Sequence, residues 1–108
     1  MTIKKSKDSS EAKFLTKLLG GPLTFGAAVE ALRTRDELSQ AAFSSKLGIS
    51  RQYLCDVEKG RRLVSPTQAA RFAKAFGHPP RVLVQLALQD SVRESGLNLK
   101  VSVEDEAA

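Results

Sequence analysis

Apolar residues recur along this chain with helical spacing, interrupted at regular intervals by hydroxyl residues, glycine and proline. Phe25, Ala28, Val29 and Leu32 stand at i, i+3, i+4 and i+7, which predicts an amphipathic helix over residues 24–34. Ser39 is placed to cap a second helix, with Leu38 and Phe43 as the two halves of a hydrophobic staple, and Gly48 ends it in a left-handed turn. Ser50 caps a third helix, Ile49 and Leu54 repeat the staple, and Gly60 closes it. In Ser65-Pro66-Thr67-Gln68 the serine caps a fourth helix, the proline takes its first position and Gln68 completes a capping box. Ala69, Phe72, Ala73 and Phe76 are its buried stripe, and Gly77 ends it. Pro79-Pro80 opens a fifth helix that reaches Glu94 and carries two apolar stripes. Leu83, Leu86 and Ala87 make one; Val84, Leu88 and Val92 make the other. A single core accounts for one stripe, so the second calls for further cover.

The pattern changes at both ends. Ser10 is placed to cap a short helix over Glu11 to Leu19, with Phe14, Leu15, Leu18 and Leu19 on one face and Gly20-Gly21-Pro22 as its stop. After Gly96 the period becomes two: Leu97, Leu99, Val101 and Val103 alternate with Asn98, Lys100 and Ser102, which predicts a β-strand. No second strand is evident to pair with it, so a strand from another subunit is the expected partner. The resulting organisation is a basic flexible arm and short helix over 1–22, a helical domain over 23–95, and a strand with an acidic tail over 96–108. The fold class is all-α, with that one strand appended.

Charge sharpens this reading. The net charge is +5 over 108 residues, unevenly placed. Residues 1–20 hold five lysines against two acids, residues 33–62 seven basic against four acidic residues, and residues 89–108 five acids against two bases. A basic front with an acidic end suits a polyanionic partner. No apolar run approaches the roughly 18–20 residues that span a bilayer, and Met1 to Ser10 lacks the apolar centre of a signal peptide. A cytoplasmic protein with no membrane contact is expected. One cysteine, Cys55, and one histidine, His78, assemble neither a disulfide framework, a metal site nor a catalytic triad, and no phosphate-binding glycine loop occurs. The expectation is therefore a non-enzyme with no metal and no cofactor, Cys55 a neutral filler and His78 part of a turn.

The informative stretch is Gln40 to Glu58. Two helices of two turns meet across a glycine turn, with Phe43, Leu47, Ile49, Leu54 and Val57 inward and the small Ser44 where they come closest. That arrangement presents the second helix as a ridge fitting the roughly 12 Å major groove. From Phe25 to Phe76 the chain resembles the phage repressor/Cro-type (Xre-family) helix-turn-helix domain. The resemblance is carried by Leu32-Arg33, Leu38-Ser39-Gln40, Leu47-Gly48-Ile49-Ser50, Tyr53-Leu54, Val57-Glu58-Lys59-Gly60-Arg61-Arg62 and Ala73-Lys74-Ala75-Phe76-Gly77. It implies a five-helix, lambda-repressor-like bundle, acting as a homodimer on palindromic double-stranded DNA. Leu63-Val64 adds length before Pro66, and Cys55 with Asp56 departs from the usual DNA-facing residues.

Positions then suggest roles. Arg51 and Gln52 open the recognition helix, where Arg can pair bidentately with guanine and Gln with adenine. Asp56, one turn later, suits either a cytosine amino group or an intrahelical partner. Gln40 resembles the family's phosphate-bracing glutamine. Lys46, Ser50, Tyr53, Lys59, Arg61 and Arg62 are candidates for further phosphate contacts, which position without reading sequence. The resemblance implies that Glu58 pairs structurally with Arg33. Val84, Leu88, Val92, Leu97, Leu99, Val101 and Val103 are the expected dimer interface. The reading is a sequence-specific transcriptional repressor. The alternative is a HigA-like antitoxin that also binds a toxin protein and represses its own operon.

Overall fold

The computed structural model describes residues 23–106. Five helices follow one another among them: α1 (Phe25–Arg35), α2 (Gln40–Leu47), α3 (Arg51–Glu58), α4 (Pro66–Ala75) and α5 (Pro80–Glu94). The lysine arm and the short helix expected over Glu11 to Leu19 lie outside the described residues. No described helix is long and apolar enough to cross a membrane.

Local chemistry sets where four of these helices begin. The hydroxyls of Thr24, Ser39, Ser50 and Ser65 accept from the backbone N–H groups of Ala27, Ala42, Tyr53 and Gln68 respectively. Each such cap contributes about 1 kcal/mol. The capping box expected at Ser65 is only half made, because the Gln68 carboxamide turns forward and accepts from Arg71. α5 starts at Pro79-Pro80 with no side-chain cap. Between α2 and α3, Gly48 has φ +70°, and the N–H groups of Gly48 and Ile49 donate back to Ser45 and Ser44. This paired bonding needs a left-handed residue, which glycine adopts without strain.

The core closes around aromatic rings. Phe72 meets Phe25 and Phe43 edge to face, at 5.3 and 5.9 Å, while Phe43 stacks on Phe76 at 4.5 Å. Val29, Leu54, Val57, Ala69, Ala73, Leu83 and Ala87 fill the space between them. The stripe expected on α5 is thus buried at Leu83 and Ala87, with Leu86 half-buried. α1 crosses the end of α3 so closely that a Cβ on Gly26 would fall 2.1 Å from the Val57 carbonyl oxygen. Two cations tie α2 to α4: Lys46 donates to the Ala75 carbonyl, and Arg71 donates to the Leu47 carbonyl. Each thereby satisfies an open carbonyl at the end of the other's helix.

The strand expected over Leu97 to Val103 is not formed. After Gly96 the chain turns back along α5, and two glutamines do what a neighbouring strand would have done. Gln89 donates to the Leu99 carbonyl and accepts from the Val101 N–H, while Gln85 accepts from the Val103 N–H. A ladder requires a second strand, and none exists among the described residues. The alternating sequence yields a segment clamped by side-chain amides. Val101 and Val103 are half-buried in it, whereas Leu97 and Leu99 remain 50% and 61% exposed. Val84, Leu88 and Val92 on α5 are half-buried, and Val84 packs on the core.

Candidate nucleic-acid interface

α2 and α3 are packed so that α3 stands on the surface with its apolar side inward. Leu54 and Val57 are fully buried, while Arg51 at the first position and Gln52 on the outer face are both exposed. Arg51 makes no hydrogen bond or ion pair among the described residues. Lys59, Arg61 and Arg62 follow in the loop after α3, also exposed. One rigid element therefore offers two long polar side chains at its start and three cations at its end.

The remaining predicted residues are engaged, each in a definite way. The Gln52 carboxamide nitrogen donates to Asp56 Oδ1 at 3.0 Å, and Arg61 Nη1 lies 3.7 Å from that same oxygen. Asp56 thus takes the intrahelical role rather than standing open. Tyr53 is half-buried, and the Arg62 guanidinium sits over its ring at 4.9 Å. Ser50 is committed to its cap and Lys46 to the end of α4. Gln40 donates to Glu58 at 3.0 Å, so its amino group faces inward.

Beneath this surface lies a polar cluster around the buried Glu58. Arg33 grips Glu58 with two parallel bonds, Nε to Oε2 at 2.7 Å and Nη2 to Oε1 at 3.0 Å, and its Nη1 donates to the Leu38 carbonyl at 2.8 Å. The Glu58 side chain is 1% exposed and that of Arg33 14%. The hydrogen bond to Glu58 raises the Arg33 pKa from its ordinary value, against the opposing effect of burial. This cluster locks α1, the α1–α2 turn, the first residue of α2 and the last of α3 into one body. It fixes the tilt of α3.

Several contributors carry no distinctive sequence pattern. Arg71 and the glutamine clamp of Gln85 and Gln89 are ordinary surface residue types. Asp90, on α5, accepts from the Phe25 N–H at 2.9 Å and so joins α5 to the start of α1. Burial raises its pKa, partly offset by that N–H and by Arg93. Glu37 holds φ +57° in the α1–α2 turn with no glycine to announce it. His78 packs its Nε2 3.1 Å from an Arg35 nitrogen, and Cys55 is a free, half-buried thiol. No group of three or more metal-binding side chains exists among the described residues.

A family model described as a helix-turn-helix domain matches residues 24–86, more than half of the chain. No curated protein and no solved structure matches it.

Proposed function

This chain belongs to the helix-turn-helix domain family, and from that premise we propose that it is a sequence-specific regulator of transcription, repressing as a homodimer on a palindromic operator. The observation that supports this most is the exposed pair Arg51 and Gln52 at the start of a helix held in place by the buried Leu54 and Val57. Such a pair reaches base edges when the helix lies in the major groove, and each good bidentate contact is worth about 1–3 kcal/mol of discrimination. Lys59, Arg61 and Arg62 then lie where phosphates flank the groove and supply affinity without reading sequence. The role is recognition, with no reaction of its own.

In this reading a second copy covers Leu97 and Leu99 together with the Val84, Leu88 and Val92 stripe. The two recognition helices would then stand about 34 Å apart, in adjacent turns of one DNA face. Selection of bound duplexes from a random pool tests both halves at once. The expected outcome is an enriched, two-fold symmetric sequence whose preference is relaxed at one position per half-site by Arg51→Ala or Gln52→Ala. Equal losses on selected and random DNA would contradict base reading. Sedimentation of a chain cut after residue 96 should show weaker dimers. An intact dimer would move the interface elsewhere, and a small protein co-purifying on the exposed leucines would favour the antitoxin reading.

A further inference from the structure

Resting on the DNA reading above, we infer that Asp56 is a positioning residue that fixes which edge of the Gln52 carboxamide faces the groove, and so makes Gln52 a reader of adenine. Gln52 and Asp56 stand four residues apart on the same face of α3, joined by the 3.0 Å bond from Gln52 Nε2 to Asp56 Oδ1. A carboxylate only accepts hydrogen bonds, whereas a carboxamide has a donor end and an acceptor end. Asp56 therefore attracts the nitrogen end of Gln52 and repels its oxygen, which removes the two-fold ambiguity of a free glutamine.

The amide nitrogen has two hydrogens. The one directed away from Oε1 serves Asp56, and the other stays beside Oε1 on the outer edge. That outer edge presents one acceptor and one donor side by side, complementary to the N6 amino group and N7 of adenine. Flipped, the same side chain would lose its bond to Asp56 and set its oxygen against a carboxylate. Arg61, 3.7 Å from the same Oδ1 oxygen, balances the negative charge that Asp56 would otherwise turn toward the phosphates. Asp56 thus acts through its neighbours and reads no base itself.

The test is duplex selection from a random pool with the full chain, its Gln52→Ala, Asp56→Ala and Asp56→Asn variants, and the double alanine variant. The base pair relaxed by Gln52→Ala should be the one relaxed by Asp56→Ala, with a loss of about tenfold in preference. The double variant should be no worse than Gln52→Ala alone. Asp56→Asn brings a donor end as well as an acceptor end, tolerates either orientation of Gln52, and should relax the same base pair. Binding to random duplex should not fall on removal of the carboxylate, because a negative charge has left a surface facing phosphates. Relaxation of a different base pair by Asp56→Ala would show that Asp56 reads a base directly and would overturn the inference, as would an unchanged profile. If the unaltered chain enriches no sequence, the DNA reading itself fails, a result distinct from either. Asp56→Ser, too short to reach Gln52, repeats the measurement if the alanine variant does not fold.

Discussion

The two acids at the end of α3 stand two residues apart and have the same kinds of partner: one arginine and one glutamine each. Glu58 holds Arg33 and Gln40; Asp56 holds Gln52 and lies near Arg61. Their surroundings separate them. The Glu58 side chain is 1% exposed and gripped by two parallel bonds, whereas that of Asp56 is 29% exposed and its arginine stands at 3.7 Å. Water cannot replace what Glu58 loses, but it can replace what Asp56 loses. One chemical grouping therefore serves as a structural lock on the inner side of the helix and as a solvent-reached brace for one side chain's presentation on its outer side.

Removing each acid in turn tests that contrast most strongly. Glu58→Ala leaves the half-buried Arg33 guanidinium without its counter-charge and Gln40 without its acceptor. The expected cost is about 3–5 kcal/mol of folding stability, enough to threaten the fold of a small domain. Asp56→Ala should change stability by no more than about 0.5 kcal/mol. Denaturant midpoints of the two variants decide the matter, and similar losses would erase the distinction between inner and outer acid. A weaker effect belongs to the outer cations. Arg61→Ala or Arg62→Ala should leave folding nearly unchanged and weaken binding alike on all sequences. Each should also lower the salt slope by about one, because one phosphate is no longer neutralised. An unaltered slope would remove that arginine from the phosphate-facing set.

The difference between lock and presentation also explains what could be read in advance. Helix starts were legible because Ser39, Ser50 and Ser65 bond within three residues of themselves, so their geometry is written locally. Gly48 was legible for the same reason. The inward stripes of α1 and α4 followed from spacing alone, and the Arg33–Glu58 pair came from a family resemblance rather than from any local rule. Interactions of long reach left no mark. Nothing near Arg71 states that it will meet Leu47, and nothing near Lys46 states that it will turn to Ala75 instead of outward. The C-terminal segment misled because alternation records only that one side of an extended chain is apolar. It does not say whether the backbone is paired by a strand or by the carboxamides of Gln85 and Gln89 on a helix.

A third acid sharpens the comparison at its weakest end. Asp90 accepts from the Phe25 N–H but has its arginine, Arg93, only at 4.0 Å. Here burial outweighs both favourable contacts and raises the carboxyl above its ordinary pKa of 3.8. The sign of the consequence follows from proton binding. In the window between 3.8 and the raised value, the folded chain keeps a proton that the unfolded chain has released. Folding stability from this group is therefore fullest below the ordinary value and falls as pH rises through the window, opposite to an acid stabilised by its partners. Asp90→Asn keeps an oxygen for the Phe25 N–H and removes the titration. Urea midpoints of the two proteins, followed from about pH 3 to about pH 7, should show the variant gaining on the parent as pH rises. Taking the difference cancels the slopes of the other carboxylates, which run the other way when partnered. A parent that gains on the variant would mean that the helix N–H and Arg93 together outweigh burial, and Asp90 would join Glu58 as a lock.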